Sequence, residues 1–166
     1  MSIFALAAIA ARGIRAAGNI VETNRHNRHG ARHATFCAMK HLKPKEAAQF
    51  LHEHPQAVFI DCRSEMEYLF VGHPVGAHHV AWNDGPDWDI NPHFVGQVRK
   101  IASMNRPVVV ICRSGQRSIA AGQALEQAGF SEVYNIVEGF EGPLDDHHHR
   151  NEITGWRKEG LPWEQS

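Results

Sequence analysis

The sequence predicts an α/β fold in which a central parallel sheet is covered by helices on both faces. Short apolar strands alternate along the chain with helical segments, the pattern of strands joined by helical crossovers. The clearest strand, at 108–111 (Val-Val-Val-Ile), has no polar alternation, as expected where helices cover both faces of a sheet. The length of 166 residues suits one domain with a proper core and is short for two.

The first predicted elements lie between residues 41 and 67. Folding is expected from about His41 to the C-terminus, residues 41–166. Pro44 suits the first turn of a helix with one apolar face, which ends before Pro55. A buried strand follows at 57–60 (Ala-Val-Phe-Ile). Residues 64–67 (Ser-Glu-Met-Glu) have the spacing of a capping box, which predicts that another helix starts there.

The rest of the chain repeats this alternation. A turn-rich connection at 72–77 leads to a strand at 79–82 and a loop at 83–89. Gly129 is expected to stop the helix that precedes it. The remaining predicted elements are a helix opened by Asn91-Pro92, the strand at 108–111, a helix over 119–128, a strand at 133–137 and a short C-terminal helix around Trp156.

Composition is typical of a soluble globular protein rather than a membrane or disulfide-rich one. Hydrophobic residues make up 43% of the chain and charged residues 21%. No apolar run approaches the roughly 18 residues that a membrane span needs. The three cysteines cannot all pair within the chain, which favours free thiols in a reducing compartment. We therefore expect a cytoplasmic protein with no membrane partner.

The N-terminal stretch, residues 1–38, differs from the rest in charge. Residues 1–45 hold eight Lys or Arg and one acidic residue, whereas residues 46–166 hold nine Lys or Arg and seventeen acidic residues. We expect a basic tail that is disordered or accessory. Its scattered arginines resemble an organelle transit peptide, so the alternatives are a segment for organelle targeting or export and an amphipathic surface helix. Cys37 lies in this tail and is assigned no role.

The candidate site is the loop that follows the strand at 108–111. Cys112 ends the strand, and a polar loop leads into the next helix. A cysteine at such a corner faces the positive end of the helix and a ring of backbone N–H groups, which favours an anion and lowers a thiol pKa. The alternative is a buried structural cysteine. We expect Cys112 to be a nucleophilic thiolate, and an anionic substrate to be bound by Arg113, Ser114, Gly115, Gln116, Arg117 and Ser118.

Residues 112–117 (Cys-Arg-Ser-Gly-Gln-Arg) resemble the active-site loop of the rhodanese sulfurtransferase family. The resemblance extends from about Leu42 to Trp163, because four further stretches match family motifs in the same order. These are 61–68 (D-x-R-x-x-x-E-[YF]), 72–77 (G-H-I-P-G-A, with a permuted Pro-Val), 133–140 (a strand and a glycine turn) and 156–162 (W-x-x-x-G-x-P).

The resemblance implies a rhodanese-like three-layer fold and a double-displacement mechanism. The Cys112 thiolate would attack the outer sulfur of a small anionic donor such as thiosulfate, and the resulting persulfide would pass its sulfur to cyanide, a thiol or a protein cysteine. Arg113 and Arg117 would hold the donor's oxygens. No metal and no organic cofactor is implied, and nothing in the sequence indicates an oligomeric state.

Two other functions stay open. A cysteine-based phosphatase or arsenate reductase on the same type of fold uses a longer loop, with five residues between Cys and Arg and commonly a preceding His. Here Ile111 precedes Cys112, and four residues separate Cys112 from Arg117, which suits a sulfur centre better than a tetrahedral phosphate. The other alternative is a persulfide carrier or binding module that serves a protein partner and turns over little thiosulfate.

Residues 61–63 (Asp-Cys-Arg) follow a strand and lie at the same sheet edge as Cys112 if the sheet is parallel. Asp61 and Arg63 either shape the pocket or serve the structure, with Asp61 bonded to nearby backbone and Arg63 paired with Glu67. Cys62 is either a small buried residue or a resolving thiol for Cys112.

The histidines and tryptophans suggest a metal site or a nucleic-acid surface, and we expect neither. Three consecutive histidines, 147–149, cannot all point at one ion, and no cysteine spacing supports a zinc site with them or with His78 and His79. We expect a polar surface segment at 147–149. The four tryptophans lack an accompanying basic patch in the folded part, so we expect them in the core or at its rim and predict no nucleic-acid partner.

Overall fold

A computed structural model describes residues 38–166 of the chain. The predicted basic tail lies outside the described residues except for Ala38, and so does Cys37. The elements are β1 (Lys40–Leu42), α1 (Pro44–Glu53), β2 (Val58–Asp61), a π-helical turn (Glu67–Val71), β3 (His73–Pro74), β4 (His78–His79), β5 (Asn83–Asp84), β6 (Asp89–Ile90), α2 (Phe94–Ile101), β7 (Val108–Ile111), α3 (Arg117–Gln127), β8 (Val133–Ile136) and β9 (Trp163–Glu164).

The centre of the fold is a five-stranded sheet in the order β1-β8-β7-β2-β4, and every neighbouring pair in it is parallel. β2 and β7 lie side by side, with Asp61 opposite Ile111. Their carboxyl ends therefore meet at one edge of the sheet, which is where ligands bind in folds of this type. This arrangement confirms the predicted α/β fold class with a central parallel sheet.

Helices cover both faces of the sheet and form three layers with it. On one face, alternate strand residues such as Ile60 and Val110 pack with Phe94 and Val98 of α2 and Leu125 of α3. On the other face, the intervening strand residues pack against α1 and the C-terminal segment; these core residues are Ala47, Phe59, Val109, Ile111, Ile136, Phe140 and Trp156. All four residues of β7 are buried, because side chains on both of its faces contact a helical layer.

The N-terminal half of the predicted element pattern is confirmed in outline. α1 begins at Pro44, and Ser64 and Glu67 form the predicted capping box: the Glu67 amide donates to Ser64 Oγ at 3.3 Å, and Glu67 Oε2 accepts from the Ser64 amide at 3.1 Å. The helix that this box starts is short and becomes a π-helical turn. The strand expected at 79–82 is only two residues long, as β4. The Val80 and Trp82 amides nevertheless donate to the carbonyls of Asp61 and Cys62, at and just after the end of β2.

Two sequence predictions near the ends of the chain differ from the structure. The helix expected around Trp156 is wrong: residues 156–160 form turns, bracketed by Gly155 and Gly160, both with positive φ. Beyond them β9 pairs antiparallel with β3. At the other end, β1 was not predicted, because its Lys-His-Leu sequence is polar and its first two residues are exposed on the edge of the sheet.

No helix among residues 38–166 is long and apolar enough to cross a membrane.

Candidate active site

Cys112 lies at the carboxyl end of β7, where the chain turns through a short loop into α3. Its Sγ accepts a hydrogen bond from the Gly115 amide at 3.1 Å and another from Ser118 Oγ at 3.3 Å. The residue is only 1% exposed. A sulfur that accepts two hydrogen bonds from N–H and O–H groups beside the start of a helix is in a setting for a thiolate rather than for a neutral thiol.

The shape of the loop depends on glycines and on backbone contacts from the segment after β8. Gly115 has a φ of +88°, and a Cβ on it would lie 2.9 Å from the Glu138 amide nitrogen. Residues 140 and 141 donate their amides to the carbonyls of Cys112 and Arg113 at 2.8 and 2.9 Å. The loop is therefore held from outside, and the Gly115 amide is directed at the sulfur.

The environment of Cys112 lowers the pKa of its thiol to about 5. The largest cause is the adjacent Cys62 thiol, which outweighs the opposing effect of burial. The Ser118 hydroxyl and the amides of Ser118 and Ser114 lower the pKa further. At neutral pH Cys112 is therefore an anion, and an anion is the nucleophilic form of a cysteine.

Arg117, the first residue of α3, is committed to Glu67. Its two terminal nitrogens donate to the two carboxylate oxygens of Glu67, each at 2.7 Å. Burial alone would raise the pKa of Glu67, but the hydrogen bonds and the charge of Arg117, with those from Ser64, lower it overall. Arg113 lies farther from this carboxylate, at 3.8 Å, and 45% of its side chain is exposed. Of the two loop arginines, Arg113 is the one with an accessible charge.

Trp88 packs on the outside of this ion pair. The guanidinium carbon of Arg117 lies 5.1 Å from the centre of the Trp88 ring, a cation–π contact. Trp88 sits in the short β5–β6 hairpin with a φ of +57° and is half exposed. From the sequence, Trp88 was expected only in the core or at its rim. The local sequence Asn-Asp-Gly-Pro-Asp-Trp-Asp indicated a loop and gave no sign that the loop covers Arg117.

Asp61 and Arg63 are fully buried and pair with each other. Arg63 Nε lies 3.0 Å from both oxygens of Asp61, its Nη2 donates to the Gly72 carbonyl at 2.6 Å, and its guanidinium stacks over Phe140 at 4.1 Å. The expected pairing of Arg63 with Glu67 is wrong. Asp61 does bond nearby backbone, since its carboxylate accepts from the Arg63 amide at 3.0 Å. The pair joins the end of β2 to the turn at Gly72.

The other predicted loop residues contribute mainly through their backbone. Ser114 supplies an amide to the thiolate, and Gln116 is exposed immediately before α3. The partner of Glu67 was predicted wrongly. The capping box accounts for this carboxylate by a local contact, so nothing in the sequence indicated its contact with Arg117, 50 residues away. Only the parallel register of β2 and β7 brings the two together.

A family profile described as the Rhodanese-like domain matches residues 43–144. The chain belongs to this family. Among relatives of the rhodanese-like chain, the thiosulfate sulfurtransferase GlpE from Pseudomonas fluorescens is 36% identical over 98 residues, which cover 59% of this chain and 79% of the relative.

Two solved structures extend the comparison. The crystal structure of Rv0390 from M. tuberculosis matches this rhodanese-like domain with a TM-score of 0.71 and 39% identity, covering 76% of this chain and 98% of that one. The polysulfide-sulfur transferase homodimer from Wolinella succinogenes matches with a TM-score of 0.53 and 26% identity, covering 77% and 80%. These likenesses agree with the rhodanese-like three-layer fold.

The histidine segment of the rhodanese-like domain forms an exposed turn. The amides of His147 and His149 donate to one oxygen of Asp145, at 2.9 and 2.7 Å, and their rings are 6.3 Å apart. His79 is engaged elsewhere, with its Nε2 2.9 Å from the Arg63 carbonyl oxygen. Within residues 38–166 no group of three His, Cys, Asp or Glu side chains is arranged to hold a metal ion.

Proposed function

We propose that this protein is a thiosulfate sulfurtransferase-type enzyme that carries sulfur through a persulfide on Cys112. The observation that supports this most strongly is the Cys112 Sγ, which accepts hydrogen bonds from a loop amide and a hydroxyl and has its pKa lowered to about 5. Such a thiolate is a nucleophile at neutral pH without a separate general base. The curated relative named a thiosulfate sulfurtransferase is consistent with that chemistry.

The reaction would proceed in two displacements. The Cys112 thiolate attacks the outer sulfur of thiosulfate, the S–S bond of the donor breaks, and sulfite leaves with the electron pair, so that the persulfide keeps one negative charge. An acceptor nucleophile, cyanide or a thiolate, then attacks the terminal sulfur of the persulfide. The Cys112 thiolate leaves and is restored. Neither displacement changes the charge of the site, and neither requires a cofactor.

The contacts of the loop suggest which groups would bind the donor. Arg117 already donates two hydrogen bonds to Glu67, so we assign it to bracing the loop. Arg113 follows Cys112 directly and its side chain is 45% exposed, so we assign it to the donor's oxygens. Two features also disfavour a phosphatase or arsenate reductase. Only four residues separate Cys112 from Arg117, and Arg117 is already bonded to the Glu67 carboxylate.

The test is intact mass spectrometry of the full chain after incubation with thiosulfate and removal of excess donor. We expect the wild-type protein to gain one sulfur atom, mapped to the peptide that contains Cys112, and to lose it on addition of cyanide with formation of thiocyanate. Cys112→Ser is the control and should gain no sulfur while keeping its far-UV circular dichroism spectrum. Sulfur loading that persists in Cys112→Ser would refute the proposal, and hydrolysis of an aryl phosphate would favour the phosphatase.

A second candidate function is a persulfide carrier that delivers sulfur to a protein thiol and turns over slowly with cyanide. It is favoured by exposed apolar side chains in the segments that contact Arg117. Met66 precedes Glu67 and Phe70 lies three residues after it, and they are 63% and 68% exposed; Trp88 is half exposed over Arg117. Such a rim suits a protein acceptor better than a small anion. Slow steady-state thiocyanate release combined with complete single-turnover loading would distinguish the carrier from the enzyme.

A further inference from the structure

A second thiol, Cys62, lies beside the nucleophile and has no part in the mechanism described above. It follows β2 directly, as Cys112 follows β7, and the two strands are paired in parallel with Asp61 opposite Ile111. The Cys62 amide continues the ladder by donating to the Ile111 carbonyl at 2.9 Å. The two cysteines therefore occupy adjacent positions on neighbouring strands, and both belong to the core cluster on the same face of the sheet.

Cys62 is enclosed by apolar side chains on its helix-covered face. It is completely buried and packs in the cluster formed by β2, β7, α2 and α3, which includes Phe94 and Val98. Both cysteines are free thiols, so no disulfide joins them. A thiol in such a setting keeps its proton, because water does not reach it to solvate a thiolate.

The charged side chains near the two sulfurs form two ion pairs. Asp61 on β2 is bonded to Arg63, and Arg117 on α3 is bonded to Glu67. Burial raises the pKa of Cys62 well above its ordinary value, and the adjacent Cys112 sulfur and Asp61 act in the same direction, whereas Arg117 opposes them. Only one of the two adjacent thiols is ionised, and the anion is Cys112.

We propose that Cys62 is a catalytic residue whose S–H group donates a hydrogen bond to Sγ of Cys112 and keeps that sulfur a thiolate. This inference rests on the proposed sulfurtransferase function. Sγ of Cys112 is anionic twice in the cycle: before it attacks the donor and when it leaves as the acceptor removes the terminal sulfur. The Cys62 proton stays on its own sulfur in both steps, so Cys62 forms and breaks no covalent bond, and its hydrogen bond stabilises the anion in each.

This role differs from that of a resolving thiol. A resolving Cys62 would lose its proton, attack Sγ of the persulfide and expel the terminal sulfur as hydrosulfide, which leaves a Cys62–Cys112 disulfide. A buried thiol that keeps its proton is a poor nucleophile for that step. The proposal therefore requires that Cys62 remain a free thiol throughout turnover.

The test compares the pH dependence of Cys112 alkylation by iodoacetamide in the full-length protein and in three variants, with the modified peptide identified by mass spectrometry. Cys62→Ala and Cys62→Val both remove the donor, and the valine nearly keeps the volume. Cys62→Ser keeps an O–H donor at the same position and is the matched control. A variant is used only if it retains the far-UV circular dichroism of the wild type. If one of the two donor-free variants does not fold, the alkylation midpoint of the other is compared with that of the wild type.

We expect the alkylation midpoint to move up by about one to two pH units in Cys62→Ala and Cys62→Val, the size expected when an ionised acceptor loses one hydrogen bond. Cys62→Ser should stay within about half a unit of the wild type, since its hydroxyl still donates. At about pH 4, below the wild-type midpoint near 5, the rate of sulfur transfer should fall about tenfold or more in the two donor-free variants, because the thiolate fraction there falls about tenfold for each unit by which the midpoint rises. Equal midpoints in all four proteins would overturn the inference, and so would an equal upward shift in the serine and alanine variants.

Intact mass after thiosulfate treatment separates this inference from the function on which it rests. If wild-type Cys112 gains no sulfur, the proposed function fails. If wild-type Cys112 gains sulfur and the Cys62 variants keep the wild-type pH profile, only the role of Cys62 fails. Accumulation of a Cys62–Cys112 disulfide during turnover, detected as the loss of two hydrogens in the wild type, would also overturn it.

Discussion

The ion pair between Glu67 and the loop residue Arg117 is the contact whose removal we expect to matter most. Its side chains are 13% and 16% exposed, and two hydrogen bonds of 2.7 Å join them. Exposed pairs contribute about 0–1 kcal/mol, and removing one partner of a fully buried pair costs about 3–5 kcal/mol. For this mostly buried pair we expect Glu67→Gln and Arg117→Gln each to lower the free energy of unfolding by about 2–3 kcal/mol.

A double-mutant cycle measured by urea denaturation at pH 7 isolates the pair. Glu67→Gln keeps an oxygen that can accept from Ser64, so the helix cap is preserved while the charge is removed. We expect a coupling energy of about 2 kcal/mol, within the range for residues in direct contact. The pair Lys45–Glu159 is the matched control. Its N–O distance is 2.6 Å, but the Lys45 side chain is 70% exposed. A coupling no larger than that of the control would refute the reasoning.

The same two variants test the role of Arg117 in catalysis. Glu67→Gln keeps the guanidinium and removes its partner, whereas Arg117→Gln removes the guanidinium. If Arg117 braces the loop, both variants should raise KM for thiosulfate, because the loop amides are then less well positioned. If Arg117 instead holds the donor, Glu67→Gln should release it for that purpose and lower KM. A lower KM in Glu67→Gln would therefore remove the bracing role.

Three further predictions concern the thiolate, the loop glycine and acid stability. Alkylation of Cys112 by iodoacetamide should fall to half its plateau near pH 5, and Ser118→Ala should move that midpoint upwards; a wild-type midpoint above about 8, near that of an unperturbed thiol, would contradict the assigned thiolate. Gly115→Ala should lower the free energy of unfolding by about 1–3 kcal/mol more than Gly76→Ala in denaturant titrations. Both glycines have positive φ, but only a Cβ added at Gly115 would clash with backbone atoms. Equal losses in the two variants would refute this reasoning. The stability difference between wild type and Glu67→Gln should be fully present above pH 4.5 and shrink as the pH falls through the lower, folded-state pKa of Glu67; a difference that grows on acidification would contradict the ion pair.

The layers and the position of Cys112 after a buried strand could be predicted from sequence, because each rests on local patterns. β7 is an unbroken apolar run that Cys112 follows directly, and Gly129, with a φ of +97°, ends α3 as expected. β1 could not be predicted, since its edge position needs few apolar residues. The helix expected around Trp156 does not form, because Gly155 and Gly160, both with positive φ, bracket the segment and place it in turns.

Side-chain partners were harder to predict than elements, since they depend on strand order. Arg63 has a near neighbour of opposite charge in Asp61 and another in Glu67, and spacing alone does not decide between them. The choice follows from Arg117, which approaches Glu67 from α3 and leaves Arg63 to Asp61. Likewise the contact between Cys62 and Cys112 depends on the parallel register of β2 and β7.

The near-complete burial of Cys112 has a consequence for the selectivity of sulfur transfer. A persulfide places its terminal sulfur about 2.05 Å beyond Sγ. Because Cys112 is only 1% exposed, we expect an incoming nucleophile to reach the terminal sulfur and to be shielded from Sγ. Attack at the inner sulfur would waste the cargo as sulfide and leave a mixed disulfide on the protein. In the proposed persulfide, the burial of Cys112 thus favours attack at the terminal sulfur, which is the atom that the acceptor takes.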